Sequence, residues 1–159
     1  MRDRDKTGRP RSARPRDEYG RPLPHGAQGV PRVPNDYAPS AEEALADAAR
    51  LLAAGRPFHA HEVLEARWKT GPAGERELWQ GLAQICVGLT HLQRGNFSGA
   101  AALLTRGSAR AGAYGRREPY GLDLEGLTGT AGRIAAGIGA GEADPAMAIT
   151  EILGHLRRH

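Results

Sequence analysis

Cysteine is nearly absent from this chain. Cys86 stands alone, so no intrachain disulfide and no cysteine-rich metal site can form, and a reducing, cytoplasmic setting is expected. Flanked by Ile85 and Val87, the thiol reads as a small buried side chain and not as a nucleophile. Long apolar runs are missing too. No stretch approaches the ~18 apolar residues that cross a bilayer, and the Arg-rich N-terminus lacks an apolar segment of the secretory kind. Neither membrane insertion nor secretion is indicated, and nothing after residue 39 alternates in the manner of a half-buried strand.

Net charge is missing from most of the chain. Residues 1–39 carry nine Arg or Lys against five Asp or Glu, whereas residues 40–159 carry thirteen of each, so the whole formal charge of +4 sits in the first segment. A polyanion partner would therefore meet a weak, salt-sensitive contact through "RDRDKTGRPRSARPR" and no broad basic face. The same segment holds seven of the eleven prolines and few aliphatics, too little apolar area to offset the entropy of ordering. Residues 1–39 are expected to be a Pro/Arg-rich flexible or loosely docked tail, and residues 40–159 a single helical domain.

What remains is patterned as helices. Ser40 and Glu43 have capping-box spacing, opening a helix to about Ala54 that Gly55 stops. Pro57 suits the first turn of a second helix, which ends near Gly71 and Pro72. A third helix, Glu75 to Arg94, gathers Leu78, Leu82, Ile85, Leu89 and Leu92 on one side, and a fourth runs from Phe97 to Tyr114. A fifth over residues 122–138 is diluted by Gly126, Gly129, Gly132 and Gly137, each costing up to ~1 kcal/mol against alanine. Asp144 and Pro145 cap and start a last helix. Leu52, Gly55, Ala60 and Leu64 recur forty residues later as Leu92, Gly95, Ala100 and Leu104, two similar helix–turn–helix units. The fold class expected is all-α, a compact bundle of five to six helices built from antiparallel hairpins.

The densest chemistry lies in "FHAHEVLEARW", residues 58–68. At about 100° per residue His61, Glu65 and Trp68 share one face, with Phe58 at its margin and Glu62 off it. On the third helix Gln80, Gln84 and His91 cluster opposite the leucine stripe. An antiparallel pairing of helices two and three would bring Glu65 level with Gln80 and His61 level with Gln84, with His91 near the start of helix two. Such groups are either a satisfied network that fixes helix register, or a site for a divalent metal ion or small polar ligand. The metal set would be His61, Glu65 and His91. "HEVLE" departs from the zincin H-E-x-x-H pattern at Glu65, which leaves half a metal site. Acid–base work by Glu65 and His61 is chemically open, but no substrate pocket is visible. His25, His59, His155 and His159 read as solvated or incidental. The loop "RREPYGLDL", with Tyr114 and Tyr120, reads as a cover over the core, and the glycine-rich last helices as a conceivable dimer surface.

These runs resemble a bacterial and archaeal family known as domain of unknown function 309. Its signature, a histidine, three residues, a glutamate, two residues and a tryptophan, is matched by His61, Glu65 and Trp68, with Phe58 and Glu62 also in pattern. A second signature is matched by Gln80, Gly81, Gln84, His91, Arg94, Gly95 and Asn96. The resemblance covers residues 42–110, and "RPRDEYGRPLP" is similar to the tail of actinobacterial members; Cys86 departs from the small or aliphatic residue expected there. It implies a small all-helical fold in which the histidine, glutamate and tryptophan matter, and it implies no reaction. The leading expectation is a metal or small-ligand site between helices two and three. The alternative is a non-catalytic protein-interaction module whose cluster His61, Glu62, Glu65, Trp68, Gln80, Gln84, His91, Arg94 and Asn96 is structural.

Overall fold

The helical part starts where the capping chemistry places it. Ser40 Oγ accepts from the Glu43 amide at 3.1 Å and Glu43 Oε1 accepts from the Ser40 amide at 3.0 Å, closing a reciprocal box ahead of α1, Ala41–Ala53. The computed structural model describes residues 37–115 and 118–156, plus a two-residue antiparallel ladder of β1, Asp3–Arg4, with β2, Pro10–Arg11. Apart from that ladder and residues 37–39, the expected tail lies outside the described residues, as do His25 and His159.

Five further α-helices follow among the described residues: α2, Pro57–Thr70; α3, Arg76–Gln93; α4, Phe97–Ala113; α5, Leu124–Gly139; and α6, Pro145–Leu156. The α1–α2 and α3–α4 turns are conformational copies. Gly55 and Gly95 adopt φ of +72° and +77°, and the residue after each donates to a carbonyl five residues back, Arg56 to Leu51 and Asn96 to His91, both at 2.9 Å. Only glycine enters that left-handed region without strain, which is why each hairpin turns there. Ala60 and Ala100, the next members of the repeated pattern, are both wholly buried.

Each helix from α1 to α5 packs on its successor, and α6 closes the bundle against α1, α5 and α3. The central helix is α3, with α2 and α4 on two different flanks. On the α4 flank the backbones approach closely: a Cβ on Gly81 would lie 2.5 Å from the Ala111 amide nitrogen, and one on Gly107 would lie 2.7 Å from the Gly81 carbonyl oxygen. On the α2 flank lie Trp79, stacked with Arg67, and Gln93, whose amide donates to the Gly55 carbonyl at 2.8 Å. The leucine stripe of α3 is buried, at 0–2% exposure, together with Leu52, Leu64, Leu104 and Leu127. The glycine-diluted α5 forms because Asp123 caps it, accepting from the Gly126 amide at 3.0 Å, and because Leu124, Leu127, Ala131 and Ala135 are buried as it packs on α4. Burial of that stripe outweighs the weak intrinsic propensity. No helix among the described residues is long and apolar enough to cross a membrane.

Candidate functional site

The His61, Glu65 and Trp68 face of α2 forms a ladder along its own helix. His61 Nδ1 donates to the Phe58 carbonyl at 3.0 Å, and His61 Nε2 stands 2.9 Å from Glu65 Oε2. The other Glu65 oxygen takes Lys69 Nζ at 2.6 Å. Hydrogen bonding from His61, opposed by desolvation and helped by Lys69, holds the Glu65 carboxyl at about 2. Trp68 is half-buried and packs against the core, and Glu62 is half-buried outside this ladder.

The ladder has a measurable consequence. Because the folded pKa of Glu65 is depressed, its stabilising effect is complete above its ordinary value of 4.5 and fades as pH falls toward about 2. With a third of the side chain exposed, that effect is about 1 kcal/mol after screening. Glu65→Gln should flatten the acid limb of stability against pH between 5 and about 2 by that amount. Urea unfolding at a series of pH values tests this, and parallel curves for the two proteins would refute the assignment.

The glutamines do not meet this face. Gln80 Oε1 accepts from Arg110 Nη1 of α4 at 2.6 Å, and the Gln84 Cβ lies against Gly107 of α4, within 3.0 Å of where a Cβ there would sit. The expected levels of Glu65 with Gln80 and of His61 with Gln84 are therefore corrected. The side of α3 that bears both residues is taken up by α4, whose small residues let it approach. Gln84 Oε1 is buried without a hydrogen-bond partner among the described residues.

The second signature run builds the α3–α4 turn. Asn96 Oδ1 caps α4 by accepting from the Gly99 amide at 3.2 Å, while its Nδ2 donates to His91 Nδ1 at 3.0 Å. Desolvation, with the Arg94 charge behind it, lowers the His91 pKa and keeps that nitrogen an acceptor. The Arg94 guanidinium lies 6.0 Å from the centre of the Phe58 ring, tying the end of α3 to the start of α2. Among the described residues no three His, Cys, Asp or Glu side chains are grouped so as to hold a metal ion, so His61, Glu65 and His91 are not a preassembled set.

Two histidines read as incidental are placed otherwise. His59 is 1% exposed, because α1 and α3 both pack on α2 and bury the side opposite His61. His155 bonds Asp123, the cap of α5, and Thr130 within that helix. Cys86 is buried, and desolvation pushes its thiol up to about 12.

Sequence reasoning missed the most connected carboxylate. Glu75 accepts from Trp79 Nε1 at 2.9 Å, from Arg67 Nη2 at 3.2 Å and from the Tyr120 hydroxyl. Desolvation pushes its pKa up, but the Tyr120, Trp79 and Arg67 donors outweigh it and hold the carboxyl below the usual range. Tyr120 reaches Glu75 from a left-handed φ of 57°, a conformation non-glycine residues adopt only when their surroundings enforce it. The Glu75–Trp79 spacing of four was the visible trace; the contributions from residues 67 and 120 had no local signal.

No curated protein and no solved structure matches the chain. Residues 45–103, from within α1 to the first turns of α4, carry both signature runs and match the family model described as Domain of unknown function (DUF309).

Proposed function

We propose that this bundle is a protein-interaction module in which His61 and Glu65 are structural, stabilising α2 along its own length. The observation that carries the reading is that both nitrogens of His61 and both oxygens of Glu65 are engaged by Phe58, Lys69 and each other. A cation would have to displace Lys69 from Glu65 and part His61 from the carboxylate. The buried thiol of Cys86 suits a cytoplasmic setting.

One observation favours the rival, a divalent metal or small polar ligand near α2 and α3. The Nδ1–H to carbonyl bond of His61 is the kind that orients a metal-ligating imidazole. Elemental analysis and zinc titration of the purified full chain separate the two. The structural reading expects less than about 0.1 equivalent of metal and no rise in Tm with zinc, with His61→Ala lowering stability by about 1 kcal/mol. Stoichiometric metal in the wild type that His61→Ala loses would establish the rival.

A further inference from the structure

Among the described residues α2 packs against α1 and α3, yet no residue of α2 from Pro57 to Trp68 is exposed. Helix α4 gives the contrast. It too lies between two neighbours, α3 and α5, and it keeps an open stripe of Ala102, Thr105, Arg106 and Ala109. A helix flanked on two sides should leave its third side to water. On α2 that side carries Phe58, Glu62, Glu65 and Ala66, and all four are half-buried. Glu62 Oε1 and Arg56 Nε are sealed from water altogether. A sealed charge is stable only where an opposite charge or a hydrogen-bonding group shares its site.

The chain enters beside this face. Arg67 Nη1, near the end of α2, donates to the Pro39 carbonyl at 3.4 Å, and the Tyr37 hydroxyl donates to Asp47 of α1. The residues before Tyr37 are thus tethered at the C-terminal end of α2. Its first turn is about 14 Å away, nine residues at ~1.5 Å each, a span that about five residues of proline-rich extended chain can cross. That first turn is positive. Arg56 precedes it, the Arg94 guanidinium stands over the Phe58 ring, and the turn has neither an acidic residue nor a side-chain cap, so the helix dipole adds to the two guanidinium charges. One turn on, Glu62 is negative. The run "RPRDEYGRP", residues 14–22, has the complementary order: adjacent acids at Asp17 and Glu18, with Arg14, Arg16 and Arg21 on either side.

We propose that residues 14–36 cover α2: the N-terminal segment runs back along the outward face, sets the Asp17 and Glu18 carboxylates against Arg56 and Arg94, and brings a flanking arginine to Glu62. The burial of that face belongs to the single chain, which leaves its own N-terminal segment, and not a second copy, to supply the cover. Proline makes such docking feasible for a segment so poor in apolar side chains, because it restricts the undocked chain and lessens the entropy lost on ordering. The face that holds His61 and Glu65 is then an intramolecular interface, and an outside partner has to compete for it. The docking goes beyond the interaction-module reading and does not rest on it.

Paramagnetic broadening in the full chain tests the cover. A nitroxide attached at Ala13→Cys, with the buried Cys86 left unlabelled, should cut the amide signals of Phe58 to Glu62 to less than half their intensity and leave those of Gly129 and Gly132 in α5 unchanged. Adding Asp17→Arg and Glu18→Arg to the labelled chain should return the α2 signals to full intensity. Equal broadening of α2 and α5, no broadening of α2, or α2 broadening that survives the double charge reversal would overturn the proposal. So would broadening of a nitroxide-free, isotope-labelled chain mixed with the spin-labelled one, since the face would then be covered by a second copy.

Discussion

Gly81→Ala should destabilise the protein by about 2–3 kcal/mol, although alanine is the better helix former by about 1 kcal/mol. The added methyl would lie 2.5 Å from the Ala111 nitrogen and 2.9 Å from its Cα, backbone atoms that cannot turn aside. Relief requires α4 to move away by about 1 Å, which loosens contacts along the whole α3–α4 seam, including Gly88 against Leu104 and Gly107 against Ile85. Gly129→Ala and Gly132→Ala should do the reverse. Both positions are exposed α5 residues where a Cβ meets nothing within 4 Å, so each should add about 0.5–1 kcal/mol through helix propensity and a less flexible unfolded chain. Urea unfolding of the three single variants tests the pair of signs. A neutral Gly81→Ala would show that the seam yields, and destabilising α5 variants would reveal that this face is covered in solution.

Glu75→Ala should cost about 3 kcal/mol. The carboxylate is the common acceptor for Arg67, Trp79 and Tyr120, and the charged pair is largely buried, with side-chain exposures of 13% and 15%. Its removal strands a guanidinium and an indole N–H whose residue is 1% exposed, and it releases the tyrosine that holds the turn before α5. Glu75→Gln keeps one acceptor and loses the charge, so about half that loss is expected. The sign with pH follows from the lowered carboxyl. The stabilisation is complete above the unfolded value, is lost as pH falls through the depressed folded value, and should be missing from the acid limb of Glu75→Gln. Equal stability of Glu75→Ala and wild type at neutral pH would show that water replaces the carboxylate in this cluster.

Much of the fold was legible because its signals are local. The Ser40 box, the glycines at 55 and 95, Asn96, and the pair Asp144 and Pro145 each act within four residues, and each marks an observed helix end. The ladder of His61, Glu65 and Lys69 was half legible for the same reason, since i, i+4 groups meet on any helix. The glutamines were not. A helical wheel places Gln80 and Gln84 at an angle about the axis of α3, yet nothing in that angle says which neighbour stands there. His155 was passed over because its partners, Asp123 and Thr130, are 32 and 25 residues away.

The chain by itself determined six helices, their turns and the leucine stripe that must be buried, because caps, glycine φ and 3.6-residue periodicity are properties of short segments. Tertiary structure alone decided which polar groups became partners. Glycines 81, 88 and 107 admit α4 to the flank of α3 that the glutamines share, and α2 is left to satisfy its histidine and glutamate along its own length.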